Sequence, residues 1–315
     1  GLGGVGTMGQ IAQYWYGNRV GFTAEIDRGV KKIEQEAHRE YVDGSWSVAA
    51  KCEWYNKLCH ESGCTLWFNT LCVGTLVENE RIKGIVVAGP YGYGLVRAGC
   101  VVDSTGCADI PAAAGASVSV IGREHVAVQG TGLAGIQPGR EYHNSDHNFS
   151  DDTDLVDTTA FLVSSKYKFK EDFDCGELVD SRERRQIIGD YSLSPADILA
   201  KHRFPDTVCV ATSNFDSHGF TVDPIFMLVP PDKEQLWADI PLGCMLPQGL
   251  DGVLVTGLAL SAHRDALPVI RMQADVQNQG YVAGLIAAKS ALERKPVRDL
   301  DLSAVQKHLV EIGAL

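Results

Sequence analysis

Val101-Val102-Asp103-Ser104-Thr105-Gly106 (VVDSTG) and Val253-Leu254-Val255-Thr256-Gly257 (VLVTG) are two short apolar runs that each end on Thr-Gly. An apolar run of this length bounded by glycine reads as a buried strand that delivers a polar turn at its carboxyl end. In an open α/β sheet that end is where ligands sit, and glycine lets the backbone come close to them. One such strand says little, because glycine after a strand is ordinarily a turn. Two of them, together with the glycine-rich opening Gly1–Gly9 (GLGGVGTMG), predict a nucleotide site.

Working outward, residues 10–44 hold an aromatic cluster (YWYGNRVGF) and then a charged helical stretch. Residues 45–62 place apolar side chains at helical intervals, with Gly63 as the C′ cap. CTLWFNTLCVGTLV and IKGIVVAG around the turn ENER predict a hairpin. Residues 120–245 are richer in Asp, His, Asn and Ser and read as an antiparallel sheet with a few helices. After VLVTG comes a small-residue helix, QNQGYVAGLIAAKSALE. The chain therefore starts one layer, leaves it and returns, which makes the expected domains discontinuous.

The 315 residues carry 28 Lys and Arg against 40 Asp and Glu, a formal net charge of −12. An acidic chain has no electrostatic footprint for nucleic acid or an anionic membrane. No apolar run approaches the roughly 20 residues of a membrane span. The uncharged, glycine-rich start does not read as a secretory signal. Nine scattered cysteines, without any C-x-x-C, indicate neither a disulfide framework nor a zinc site. A reducing cytoplasm is the expected compartment.

Three segments carry a resemblance. VVDSTGCADIPAAAGA is similar to the D-[AS]-T-G-x-[AG]-D turn of FAD-dependent oxidoreductases of the two-dinucleotide-binding type. GLDGVLVTGLALSAHRDALPVIRMQADVQNQGYVAGLIAA resembles their carboxyl-terminal flavin segment. RERRQIIGDYSLSPADILAKHRFPDTV resembles the Arg-Glu-x-Arg-x-x-x-Gly-Asp-Tyr signature of the same subgroup. The resemblance implies an α/β fold: an FAD/NAD(P)-binding Rossmann-like layer, incomplete at its N-terminus, with an inserted, mainly antiparallel α+β substrate domain. On that reading the FAD-binding domain comprises residues 1–119 and 246–295, the insert 120–245, and a C-terminal helical tail 296–315. It also implies that GLGGVGTMG is the family's second glycine cluster, GG-x-x-T-x-G, and matches G-x-G-x-x-G only by glycine density. A first βαβ unit of roughly 30 residues is then expected in a preceding segment or on a separate chain.

For FAD the resemblance implies Gly3, Gly4, Thr7, Thr105, Gly106, Gly257, Ser261, Arg271, Gln273 and Gly280 as binding residues. Arg271 would hold a phosphate or the reduced flavin's charge near N1; alternatively it forms an ion pair with Asp275 at i+4. Leu258 stands where many relatives carry Asp or Arg. His263 is a candidate base for a substrate hydroxyl, or else a hydrogen-bonded structural histidine. Arg264 orients the substrate oxygen or forms a solvated pair with Asp265. His218, oriented by Asp216, is the rival base. His143 and His147 with Asp146 invite a metal, but their Asn-Ser-Asp spacing favours a loop, so no metal is expected. Arg182–Arg185 read as a solvated helix face, with Arg184 as a domain anchor. Trp15, Tyr16, Asn18 and Arg19 stack on a flavin or a sugar-like ring, or simply pack.

The leading expectation is hydride transfer between a small polar, hydroxylated or carbohydrate-like substrate and flavin, in a chain that can form homo-oligomers. The alternative is a non-catalytic, flavin-free subunit of a larger flavoprotein assembly.

Overall fold

The structure is a computed structural model and describes residues 1–39, 41, 43–122, 127–129, 147–148, 150–151, 153–172, 180–181, 185–216, 223–224 and 235–315. In chain order the helices are α1 (Gly21–Glu36), α2 (Val48–Glu61), α3 (Asp109–Ala113), α4 (Leu155–Lys168), α5 (Pro195–Leu199), α6 (Leu267–Ile270), α7 (Gln273–Glu293) and α8 (Ser303–Glu311). The strands are β1 (Leu71–Glu78), β2 (Arg81–Gly89), β3 (Gly92–Arg97), β4 (Val101–Asp103), β5 (Val118–Val120), β6 (Ala127–Gln129), β7 (His147–Asn148), β8 (Asp180–Ser181), β9 (Arg185–Ile187), β10 (Thr207–Ser213), β11 (Leu236–Pro241) and β12 (Val253–Val255). They fall into two compact units, one of residues 1–15, 24–68 and 122–182, the other of residues 16–23, 69–121 and 183–315.

In the first unit, α2 starts where the Ser47 hydroxyl accepts from the Ala50 N–H (3.3 Å) and stops at Gly63, whose φ of +70° suits glycine. Ile26 and Val30 of α1 lie buried, one turn apart. Between them on the helix, Gly29 has no room for a side chain: a Cβ there would sit 2.0 Å from Trp54 Cε2. Gly29→Ala is therefore expected to cost about 1–3 kcal/mol through overpacking, read as a lowered urea midpoint. A cost near zero would mean that α1 and α2 do not meet at this glycine.

The second unit holds most of the described core. β1, β2 and β3 form an antiparallel sheet, with Asn79 and Glu80 at the first turn both at positive φ (50° and 58°). β4 and β12 pair in parallel, Val253 opposite Val101 and Val255 opposite Asp103. β10 and β11 form a separate antiparallel pair. Leu254, Leu260, Leu267, Ile270, Val282 and Ile286 are all buried in one cluster with β10 and β11. Helix α7 packs against β4, β10 and β12.

A polar strap, residues 16–23, is fastened to the buried side of α7. The Asn18 N–H donates to Asp275 Oδ1 (2.7 Å), and Asn278 Nδ2 donates to the Asn18 carbonyl (3.1 Å). The Thr23 hydroxyl donates to the Ala274 carbonyl (2.7 Å). Among the described residues no helix is long and apolar enough to cross a membrane.

Candidate functional site

The two Thr-Gly bends lie side by side at the carboxyl ends of β4 and β12, where the Thr256 N–H donates to the Asp103 carbonyl (3.0 Å). Each bend has its own internal support. Asp103, buried at the end of β4, accepts the Thr105 N–H with Oδ1 (2.8 Å) and the Ile110 N–H with Oδ2 (3.0 Å), so one carboxylate fixes the turn and starts α3. The Thr105 hydroxyl accepts from the Asp109 N–H (3.2 Å). Gly106 has φ +83° with no heavy atom near the position of a Cβ, so the turn presents bare backbone to open space.

At the second bend Gly257 (φ +74°) donates its N–H to Gln279 Oε1 (2.9 Å), and Gln279 Nε2 donates to the Ile270 carbonyl (2.7 Å). A fully buried glutamine of α7 thereby ties the bend to the end of α6, immediately before Arg271. Arg271 is nearly buried, and its Nη2 donates to the Asp216 carbonyl (2.7 Å) with Asp216 Oδ2 at 4.0 Å. The ion pair with Asp275 anticipated at i+4 is not made, because Asp275 is occupied by the backbone N–H groups of Asn18 and Thr212 (2.7 and 3.2 Å). A cation is thus held where α7 begins, the end whose own dipole is positive. Gln273 is the first residue of α7, and Gly280 lies on its exposed side with open space at the Cβ position.

Ser261 is buried, and its hydroxyl accepts the Gly189 N–H (3.0 Å). A Cβ on Gly189 would meet Ser261 Cβ at 2.6 Å, so the Gly-Asp-Tyr signature docks here by close approach. Asp190 pairs with Arg298 through two contacts (2.7 and 3.1 Å), and the Tyr191 hydroxyl donates to Asp197 (2.9 Å). The arginine run needs correction at its described end. Arg185 lies in β9, not on a helix, and is not simply solvated: its Nε donates to the Cys107 carbonyl (2.6 Å) and its guanidinium pairs with Asp109, bracing the turn after Gly106. Arg182 and Arg184 lie outside the described residues.

His263 leaves two-fifths of its side chain exposed. The Asp265 N–H donates to Nδ1 (3.1 Å), which leaves Nε2 as the proton-bearing nitrogen of the neutral ring, 3.9 Å from Asp223 Oδ2. Arg264 does pair with Asp265 (2.8 Å), but both side chains are buried, at 8% and 0% exposure, so the pair is not a solvated one. Asp265 in turn accepts the Asp223 N–H (2.6 Å), so the pair holds the aspartate that faces His263. His218 and the tract from His143 to Asp146 lie outside the described residues, and of His147 only the backbone is described. Among the described residues no group of three or more His, Cys, Asp or Glu side chains gathers as a metal site.

In the first unit, Gly4–Gly6 make one 3-10 turn and no helix begins before Gly21, so GLGGVG is not a loop feeding directly into a helix. Gly4 is open; Gly3 is closed, since its Cβ would meet Tyr55 Cε2 at 2.7 Å. The buried Thr7 hydroxyl turns back onto the Leu2 carbonyl. Trp46 Nε1 donates to the Gly6 carbonyl (2.8 Å), and Lys51, itself buried, rests its ammonium 3.4 Å from the Trp46 ring centroid. Sequence reading overlooked Lys51 and Gln279, which only burial marks, and it named Asp103 within its motif without giving it a role.

A family model described as FAD dependent oxidoreductase matches residues 2–172 and 160–309. The chain belongs to the FAD-dependent oxidoreductase family. The open backbone at Gly106 and Gly280 and the cation at Arg271 fit the cofactor of that family, FAD, which needs small residues for close approach and positive charge beside its phosphates or ring. Among solved structures, a geranylgeranyl bacteriochlorophyll reductase-like protein from Thermoplasma acidophilum is 13% identical with a TM-score of 0.36, over 78% of this chain and 55% of its own. BexE, studied for oxidation during BE-7585A biosynthesis, is 12% identical with a TM-score of 0.38, over 91% of this chain and 56% of its own. The FAD-dependent oxidoreductase chain described here thus spans a little over half the length of these two structures. No curated protein matches it.

Proposed function

We propose that this protein exchanges hydride between FAD and a small polar, hydroxylated molecule. The observation that carries the reading is the junction in the second unit where the two glycine bends lie side by side and Gln279 ties the second of them to the end of α6, next to Arg271 and the start of α7. When bound, FAD supplies the hydride acceptor or donor. Thr105, Gly106, Gly257, Gln273 and Gly280 offer the backbone approach. Arg271 offsets negative charge on the cofactor. Ser261 acts through Gly189, and Arg264 through Asp265, as positioning residues. His263 serves as base at Nε2, beside Asp223, once the Asp265 N–H releases Nδ1 and the ring proton moves to that nitrogen. β4, β12 and α7 are read as part of a Rossmann-like layer.

The test uses the full-length protein. It should purify yellow or take up FAD, and a panel of polyols, aldoses and 2-hydroxy acids mixed anaerobically should bleach the flavin band with at least one member. His263→Gln is expected to slow that bleaching about 100-fold at unchanged flavin content. A protein that neither holds nor takes up FAD would favour the flavin-free subunit instead.

A further inference from the structure

The end of α2 brings two cysteines together. Gly63 in the left-handed conformation donates its N–H to the His60 carbonyl (3.1 Å), and the Cys64 N–H reaches back to the Cys59 carbonyl (2.9 Å). This pair of bonds defines the Schellman ending of a helix, in which the side chain two positions past the cap residue packs against the one three from the helix end. Those two positions are Cys64 and Cys59. Ordinary bond lengths on either side of the 2.9 Å hydrogen bond cap the separation of their Cα atoms at about 7 Å, and the bend at the carbonyl brings it lower. That is the range a disulfide spans.

Both residues are free, Cys64 exposed and Cys59 half-buried. Three other cysteines are poor candidates for the same chemistry: Cys209 and Cys244 are buried, and burial pushes the Cys244 thiol up to about 12 and that of Cys100 to about 11. Cys59 also feels burial first and Cys64 second, both raising its thiol, as expected of two sulfurs in proximity.

We propose that Cys59 and Cys64 form a redox-responsive dithiol that closes to a disulfide by exchange with a low-molecular-weight disulfide such as oxidised glutathione. Cys64 is the attacking sulfur, because it is exposed and lies beyond the negative end of α2, whereas Cys59 sits in the last turn, where a thiolate is disfavoured. The Cys64 thiolate displaces one glutathione thiolate and forms a mixed disulfide. Cys59 then attacks Cys64 and releases the second glutathione. Two electrons pass from the protein thiols to glutathione, and their two protons pass through solvent to the glutathione thiols.

The full-length folded protein is incubated with oxidised glutathione, its remaining thiols are alkylated, and its peptides are sequenced by mass spectrometry. The expected product lacks two hydrogens between Cys59 and Cys64, with neither sulfur alkylated, and dithiothreitol restores both. Cys59→Ser should instead accumulate the mixed disulfide on Cys64. Cys64→Ser should leave Cys59 alkylated at least ten-fold more often than glutathionylated. Phenylarsine oxide should shield both sulfurs from alkylation in the unmodified protein and neither in the single variants. Persistence of both thiols under excess oxidant, or a stable mixed disulfide on Cys64 while Cys59 is still present, would overturn the proposal.

Discussion

Asp103→Ala is expected to lower stability by about 3–5 kcal/mol and to strip the protein of FAD. The carboxylate is buried and serves two backbone donors at once, the Thr105 N–H (2.8 Å) and the Ile110 N–H (3.0 Å). Hydrogen bonds to a charged acceptor contribute about 1.5–3 kcal/mol each, and a buried donor left without a partner costs about 1–3 kcal/mol. Alanine removes both bonds together, and nothing else in the turn can turn inward to replace them: the Thr105 hydroxyl is already bonded to Asp109 N–H. The bend at Gly106 and the start of α3 would then lose their common anchor. Asp103→Asn retains one acceptor oxygen, so it should lose about half as much. Urea unfolding gives the stability, and FAD titration followed by flavin fluorescence gives the affinity. An alanine variant that unfolds at a lower urea concentration yet binds FAD as tightly as the unmodified protein would remove the Thr105–Gly106 bend from the cofactor site.

The parts of the fold that announce themselves in the sequence are those with local causes. VVDSTG and VLVTG are strands ended by turn residues, and the parallel register of β4 and β12 sets their bends next to each other. Gly63 caps α2 because a left-handed residue was needed there, and the β1–β2 hairpin turns where ENER interrupts two apolar runs. β3 escaped notice because Tyr91-Gly92-Tyr93-Gly94 has low strand propensity; its order comes from β2, whose Gly84 through Gly89 pair with Arg97 through Gly92. The site residues that were missed have distant causes. Gln279 looks like one more polar residue on a small-residue helix until Gly257, 22 positions earlier, is found donating to it. Arg271 and Asp275 have ideal spacing for a helical ion pair, yet the break between α6 and α7 and the arrival of Asn18 and Thr212 give each a different partner. Spacing rules hold only while both residues share one helix and compete for no third group.

Asp275 gives the second large effect, a pH dependence. Its side chain is fully buried, and burial raises its carboxyl to about 7, against the lowering influence of the Asn18 and Thr212 N–H groups, from an ordinary value of 3.8. Between those values the folded protein keeps a proton that the unfolded chain has released. Stability from this group is therefore complete below about pH 4 and is lost as pH rises through about 7, a span worth about 4 kcal/mol. Other carboxylates oppose this trend, Asp197 among them, since its folded-state value is lowered by its hydrogen bonds despite burial. The clean measurement is consequently a difference against Asp275→Asn, which cannot titrate. Asparagine has one acceptor for two donors, so a constant penalty of about 1–3 kcal/mol is expected at every pH. On top of it, the unmodified protein should lose about 3 kcal/mol relative to the variant between pH 4.5 and 8.5, which would make Asp275→Asn the more stable form at the alkaline end. A difference between the two that stays flat across that interval would mean the carboxyl ionises as readily in the folded protein as in the unfolded chain. The strap of residues 16–23, which it holds through Asn18, would then rest on a charged group throughout.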